Sequence, residues 1–223
     1  MIPSASTADE VRSRLGAVRR RIEAAGGDPT SISVVAVTKG FDHTAVDAAL
    51  GAGLVDLGEN YAQELVAKAD APGAQWHMIG RLQRNKVRSL ASLVSLWQSV
   101  DRPELGAEIA RRCPGAAVLV QVNTSGESRK GGCRPDGARA LVADLGAEGL
   151  AVQGLMTVAG AGPPETARAG FRVLRSLADD LGLPSRSMGM SSDLEAAVAE
   201  ATTMVRIGTA LFGPRANADQ VRN

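Results

Sequence analysis

Aromatic residues, cysteines and an excess of either charge are scarce in this sequence. Aromatic side chains make up only 3% of the 223 residues, so the core must be built from Ala, Val, Leu and Ile. The balance of 25 basic and 24 acidic residues gives no electrostatic footprint for nucleic acid or for an acidic membrane. Few aromatics also leave no obvious interface patch, which favours a monomer.

The two cysteines, Cys113 and Cys133, form no CxxC motif and have no nearby histidine cluster. This argues against a disulfide framework and against a zinc or other metal site. The N-terminus lacks a charged region followed by an apolar core, and no stretch approaches the roughly 20 apolar residues that cross a bilayer. The sequence therefore predicts a soluble, cytoplasmic protein without a membrane partner.

Eight short apolar segments, each followed by a helical pattern, predict a single (β/α)₈ barrel of the TIM type in one domain, 1–223. The predicted strands cover residues 34–38, 54–57, 76–79, 96–100, 117–122, 151–158, 185–188 and 204–207. An extra N-terminal helix over 7–25, opened by a capping box of Thr7 and Glu10, precedes a barrel over about 32–215 and a short tail. An open doubly wound sheet is the alternative, although the first strand–helix junction lacks a GxGxxG dinucleotide motif.

Residues at the C-terminal ends of barrel strands converge on one face, where barrel enzymes keep their sites. These residues are Lys39, Asn60, Gly80, Asn123, Met156, Ser187 and Arg206. The segments 187–191 and 206–209, after strands seven and eight, combine small residues with hydroxyls and predict a phosphate site. Ser192 and Glu195 are expected to form a second capping box there, which would direct a helix N-terminus toward the anion.

Lys39 follows the apolar run 34–37, which is typical of a strand buried on both faces. Burial at the barrel mouth and a nearby Arg206 would both disfavour the ammonium form of this lysine. Beside a phosphate site, such a lysine suits a Schiff base with a phosphorylated aldehyde. A solvated lysine, or one that pairs ionically with the phosphate, fits the pattern equally well. His77 is interpreted as a hydrogen-bonded core residue, and Glu59 as either a functional group or an ionic brace.

Seven segments, in the order of the barrel strands, carry a resemblance to a known family. They are residues 35–39, 58–64, 76–86, 121–123, 154–156, 187–193 and 205–213. Together they resemble the pyridoxal phosphate homeostasis proteins, over about residues 10–215. The resemblance implies the barrel fold of the alanine racemase N-terminal domain, with pyridoxal 5′-phosphate (PLP) held as an internal aldimine on Lys39.

The resemblance also implies which residues bind the cofactor. Asn60 would flank the ring, and Arg206 would lie near the phosphate or the pyridine nitrogen. Further cofactor-binding residues are expected at Met156, Ser187, Ser191, Gly208 and Thr209, of which the serines, Gly208 and Thr209 would contact the phosphate. The implied function is intracellular PLP homeostasis without robust catalysis, with PLP-dependent apoenzymes as candidate recipients.

Two further hypotheses remain. A weak single-domain PLP-dependent racemase would need a second acid or base opposite the lysine, yet the only tyrosine, Tyr61, begins a predicted helix. A barrel enzyme that acts on a phosphorylated sugar, with Lys39 as base or aldolase-type amine, would explain the phosphate site but not the seven matching segments.

Overall fold

Eight parallel strands close into a barrel in the computed structural model, which describes residues 6–127, 129–160 and 164–214. The strands are β1 (Ser33–Val37), β2 (Asp56–Glu59), β3 (Gln75–Met78), β4 (Val94–Val100), β5 (Ala117–Gln121), β6 (Ala151–Met156), β7 (Ser185–Ser187) and β8 (Met204–Ile207). Each strand pairs with the next, and β8 closes onto β1 with Arg206 opposite Val35. The predicted barrel is confirmed and the open sheet is wrong. The predicted tail after residue 215 lies outside the described residues.

Helices alternate with the strands around the outside of the barrel. They are α1 (Ala8–Ala24), α2 (His43–Gly51), α3 (Ala62–Lys68), α4 (Val87–Leu90), α5 (Pro103–Arg112), α6 (Ala138–Ala147), α7 (Pro164–Asp180), α8 (Leu194–Ala199) and α9 (Thr209–Phe212). Single 3₁₀ turns, Arg84–Lys86 and Pro135–Gly137, precede α4 and α6. Within the described residues, no helix is both long enough and apolar enough to cross a membrane.

The N-terminal helix α1 begins at the predicted capping box. The hydroxyl of Thr7 accepts a hydrogen bond from the backbone N–H of Glu10, and the Glu10 carboxylate accepts one from the N–H of Thr7. Reciprocal bonds of this kind satisfy backbone donors that the first helical turn leaves free. The apolar face of α1, including Leu15 and Ile22, is buried in the main core.

Strand β2 begins two residues later than the apolar pattern predicts, because Leu54 completes the end of α2. Its backbone N–H donates to the carbonyl of Ala49, while Gly53 takes a left-handed φ of 84°. This arrangement resembles a Schellman cap, in which a glycine reverses the chain and later N–H groups bond back to the last helical turn. Leu54 is therefore a buried capping residue, and the strand runs on to Glu59.

The predicted capping box of Ser192 and Glu195 is wrong. Helix α8 begins after Asp193, which makes no side-chain capping bond to the helix, and Ser192 is exposed. The Glu195 carboxylate is instead bound by both nitrogens of the Arg21 guanidinium that face it, at 2.7 and 2.9 Å. A bidentate charged pair with α1 has taken the place of the local cap.

The barrel wall separates two apolar regions. Helices pack on the outer face of the strands in a core that is mostly Ala, Val, Leu and Ile, as the scarcity of aromatics predicts. A smaller cluster of Leu96, Leu119 and Met156 lies on the other face, since Leu96 shares its side of β4 with the buried Gln98. The interior of the barrel is thus apolar at this cluster and polar around Gln98.

Candidate functional site

A cavity of about 560 Å³ opens where the C-terminal ends of several strands meet. This volume falls within the range of small-molecule sites. Its lining residues lie in or just after the C-terminal ends of β1, β2, β3, β6, β7 and β8. They are Val37, Lys39, Phe41, Asn60, Ile79, Val158, Met190, Ser191, Ser192, Arg206, Gly208 and Thr209. The apolar lining is aliphatic except for Phe41, whose ring packs against Phe212 at 5.4 Å between centroids.

Lys39 lies at the corner of a tight turn that ends β1. The N–H of Phe41 donates to the carbonyl of Thr38 at 3.1 Å, and Gly40 has a φ of 72°. A positive φ at the third residue of a β-turn suits type II geometry, which glycine adopts without steric cost. The turn fixes the backbone of Lys39 at the cavity wall, with the side chain half-buried.

A buried ion pair lies directly behind this turn. The Lys68 ammonium donates to Glu59 Oε1 at 2.7 Å and to the carbonyl of Thr38 at 2.9 Å. The Thr38 hydroxyl donates to the same carboxylate oxygen at 2.6 Å. Burial raises the pKa of Glu59, against the opposing effect of these hydrogen bonds. Of the two interpretations of Glu59, the geometry shows the ionic brace, and Lys68 is the partner that the sequence did not reveal.

Arg206 is a buried cation on β8, the strand that neighbours β1 in the barrel wall. Its guanidinium donates to the hydroxyl of Ser187 at 2.7 Å and to the carbonyl of Thr157 at 2.6 Å, both of which are neutral acceptors. Among the described residues, no carboxylate lies within salt-bridge distance of it. Burial lowers the pKa of Arg206 to about 10, with Asp193 opposing the shift, so the group stays charged at neutral pH. A buried charge that only neutral atoms contact directly is costly, and this one is suited to pair with an anion.

Polar residues inside the barrel support Arg206 from behind. Ser187 donates to Gln98 Oε1 at 2.7 Å, and the Gln98 amide nitrogen lies 2.8 Å from Nδ1 of His77. His77 Nε2 is in turn 3.4 Å from a carboxylate oxygen of Asp56. These contacts make His77 a partnered core residue, as its place in a strand predicts. They also orient the Ser187 hydroxyl that receives the Arg206 guanidinium.

The loop after β7 presents backbone donors to the cavity. The N–H groups of Ser191 and Ser192 donate to no other described residue, while the Ser191 hydroxyl accepts from Ala210 N at 3.3 Å. Gly189 bends the loop with a φ of 99°, and a Cβ there would lie 2.5 Å from that of Ala197. Free N–H groups at such a loop are suited to anion binding.

Helix α1 is hydrogen-bonded to both of the chain segments that follow β7 and β8. Arg21 donates to the carbonyl of Ser191 at 3.0 Å, and Arg14 donates to the carbonyl of Leu211 at 2.9 Å. The Arg21 side chain is therefore bound to the loop after β7 although it remains partly exposed. The extra N-terminal helix therefore contributes to the shape of the site although it lies outside the barrel.

Close backbone packing positions Asn60 at the end of β2. A Cβ added to Gly80 would lie 2.2 Å from the carbonyl oxygen of Asn60, so this approach requires glycine. The Gly80 carbonyl is itself held by the hydroxyl of Ser99 at 2.6 Å. A side chain at position 80 would displace the backbone of Asn60 from the cavity wall.

Comparison with known proteins agrees with this architecture. The family described as alanine racemase, N-terminal domain, matches residues 9–216. The pyridoxal phosphate homeostasis protein of Pseudomonas aeruginosa is 43% identical over 214 residues, which cover 89% of this chain and 91% of that protein. The protein of the same name from Aquifex aeolicus is 38% identical over 217 residues, covering 89% and 93%. The chain belongs to the pyridoxal phosphate homeostasis protein family.

A solved structure extends the comparison to three dimensions. PipY of Synechococcus elongatus, solved with PLP bound, is 32% identical and superposes with a TM-score of 0.80. The superposition covers 91% of this chain and 100% of PipY. The chain therefore shares the fold of PipY over nearly its whole length.

Most of the residues predicted from the family's motifs line one cavity. They are Lys39, Asn60, Ser191, Arg206, Gly208 and Thr209. Met156 and Ser187 do not line it. Met156 packs with Leu96 and Leu119 inside the barrel, and the Ser187 hydroxyl is engaged by Arg206 and Gln98. The structure places these two residues beneath the cavity, where they support its wall.

Proposed function

We propose that this protein binds PLP in the cavity at the barrel mouth and serves intracellular PLP homeostasis. The names of its relatives and the PLP bound to PipY support this proposal. The observation that supports it most is that Lys39 and Arg206 line the same cavity. A primary amine and a buried guanidinium that no carboxylate of the described residues contacts suit a ligand that combines an aldehyde with an anionic or basic acceptor group.

In the proposed complex, Lys39 Nζ attacks the aldehyde carbon of PLP. A C=N bond forms, the carbonyl oxygen leaves as one water molecule, and no oxidant or reductant is required. Asn60 flanks the ring of the bound cofactor. The free N–H groups at Ser191 and Ser192, together with Gly208 and Thr209, receive the phosphate, and Arg206 contacts the phosphate or the ring nitrogen. Met156 and Ser187 act from beneath this wall.

The same lining favours a holder of PLP over a robust catalyst. Apart from Lys39 and Arg206, the described residues that line the cavity carry no acidic or basic side chain. Tyr61, the sole tyrosine, is 60% exposed at the start of α3 and does not line the cavity. A racemase needs a second acid or base on the face opposite the lysine. Weak racemase activity is therefore ranked second, behind PLP binding without catalysis.

The proposal has three further parts. PLP-dependent apoenzymes are the recipients of the cofactor, the protein acts as a monomer, and it acts in the cytoplasm. Mixing the PLP-loaded protein with an apoenzyme tests the first part through recovered enzyme activity. Sedimentation of the loaded protein tests the second.

An absorbance titration tests the central proposal. PLP added to the cofactor-free protein should produce a yellow band that Lys39→Ala abolishes and that Lys86→Ala, a change of a lysine outside the cavity, leaves intact. A wild-type protein that stays colourless would refute PLP binding through a lysine. Interconversion of D- and L-amino acids by the loaded protein, above the rate of free PLP, would favour the racemase instead.

A further inference from the structure

The turn that carries Lys39 is held from both sides by a charged cluster that does not line the cavity. Thr38 precedes Lys39 and is wholly buried, and its carbonyl accepts from the Lys68 ammonium at 2.9 Å. Gly40 follows Lys39, and its N–H donates to Glu64 Oε2 at 2.7 Å. Both neighbours of Lys39 in the chain are therefore hydrogen-bonded to α3 or its last turn.

The cluster is joined by its own charges. Lys68 bonds Glu59 at 2.7 Å and lies 3.5 Å from Glu64, one helical turn earlier. Glu59 is completely buried and Lys68 is 5% exposed, so water screens their interaction little. Glu59 Oε1 accepts from Lys68 and from the Thr38 hydroxyl, whereas its second oxygen has no hydrogen-bond partner in the described part of the chain.

This arrangement exceeds what the stability of the barrel alone requires. Buried ion pairs are often no more stabilising than apolar residues of similar volume, since desolvation offsets their attraction. The charged groups orient the backbone of the turn. Their bonds to the carbonyl of Thr38 and to the N–H of Gly40 are charge-assisted, and they fix the peptide planes on either side of Lys39. A turn held in this way presents its lysine with little conformational freedom.

We propose that Glu59, Glu64 and Lys68 are positioning residues that hold the Thr38–Gly40 turn so that the Lys39 amine faces the aldehyde of bound PLP. The inference rests on the proposed attachment of PLP to Lys39. None of the three groups touches the cofactor. They act through the backbone of the turn, which sets the position of the Lys39 amine. Displacement of a reacting atom by about 1 Å can lower a rate up to about a hundredfold.

Glu64→Ala gives the cleanest test, because Glu64 is partly exposed on α3 and its removal leaves the buried pair intact. The rate at which the yellow band forms with PLP should fall about tenfold, which is the loss expected from one charge-assisted hydrogen bond. Glu64→Gln keeps an oxygen acceptor for Gly40 and should restore most of that rate. Gln63→Ala, an exposed change on the same helix, should leave the rate unchanged.

Amide hydrogen exchange on the cofactor-free protein separates this inference from the proposed function. The Gly40 amide should exchange about tenfold faster in Glu64→Ala than in the wild type or in Gln63→Ala. A wild-type protein that never turns yellow would refute the attachment of PLP, while faster exchange at Gly40 would still support the hold on the turn. Wild-type exchange at Gly40 in Glu64→Ala, or an unchanged rate of band formation in a wild type that does turn yellow, would overturn the inference.

Discussion

Lys68 and Arg206 are both buried cations at the barrel mouth, and they differ in the groups that contact them. Lys68 donates to the carboxylate of Glu59, so its charge is paired within the fold. Arg206 donates to a hydroxyl and to a backbone carbonyl, so neutral atoms contact it directly, and the buried Asp193 acts on its charge only from a distance. The first arrangement is typical of a structural ion pair, and the second suits the binding of an anion.

This difference indicates that the β1–β2 side and the β7–β8 side of the cavity have different roles. On the β1–β2 side the charges of Glu59 and Lys68 are paired within the fold, and we propose that this side directs Lys39. On the β7–β8 side the N–H groups of Ser191 and Ser192 donate to no other described residue and no carboxylate in the same part of the chain contacts Arg206, so we propose that an anion binds there. Substitutions on the two sides should therefore affect stability and affinity in opposite proportions.

The largest effect is expected from Lys68→Met. Removing the cation leaves the Glu59 carboxylate buried without its partner, and the free energy of unfolding should fall by about 3–5 kcal/mol. Urea denaturation of the cofactor-free protein measures this change. The double variant Glu59→Gln/Lys68→Met removes both charges and should recover most of the loss. A single variant as stable as the wild type would show that the pair is not a structural brace.

Arg206→Met should produce the opposite pattern. Affinity for PLP should fall by about 3 kcal/mol, or roughly a hundredfold, because charge-assisted contacts to the anion are lost. The free energy of unfolding of the cofactor-free protein should stay the same or rise by about 1 kcal/mol, since a buried charge that no described carboxylate contacts directly is removed. Absorbance titration and urea denaturation of the same preparations measure the two quantities. A destabilised variant with normal affinity would reverse the roles assigned to the two cations.

Inorganic phosphate should stabilise the cofactor-free protein without PLP. Phosphate can occupy the β7–β8 side alone, and an excess of about ten times its dissociation constant should raise the free energy of unfolding by about 1.4 kcal/mol. Thermal denaturation with phosphate and with chloride of equal ionic strength measures the effect. The increase should persist in Glu64→Ala and disappear in Arg206→Met. Equal stabilisation by chloride would indicate general screening.

The smallest effect is expected from pH. Burial lowers the pKa of Arg206 only to about 10, so the guanidinium stays protonated from about pH 7 to about pH 9. Deprotonation would begin to remove the positive charge only near and above that pKa. Loss of the charge on Arg206 should therefore not weaken the stabilisation by phosphate across the lower range. A steep decline between pH 7 and pH 8 would mean that another group governs anion binding.

The sequence predicted the frame of the site because its signals are local. An apolar run that ends in Lys39, and a strand that ends near Arg206, place both residues at the mouth of any barrel with this strand order. The capping box at Thr7 and Glu10 was predicted for the same reason. The box at Ser192 and Glu195 failed because Arg21, some 170 residues away in the chain, binds Glu195 instead.

The hydrogen-bond partners of Lys68 and Arg206 could not be predicted from the neighbouring sequence. Lys68 stands in the last turn of a helix, where a lysine is ordinarily solvated, and nothing nearby in the sequence shows that it reaches Glu59. The neutral partners of Arg206 come from β6 and β7, and only the closed barrel brings them together. Ser187 was predicted to contact phosphate directly, whereas its hydroxyl is directed to Arg206 and Gln98.

Borohydride reduction of the PLP-loaded protein, followed by peptide mass spectrometry, tests the central claim most directly. The sequence holds four lysines, Lys39, Lys68, Lys86 and Lys130, each of which is a possible attachment point. The cofactor should be found on Lys39 at close to one equivalent and absent from Lys68, which Glu59 engages inside the fold. Stable labelling of Lys68, or labelling spread evenly over Lys39, Lys86 and Lys130, would contradict the account.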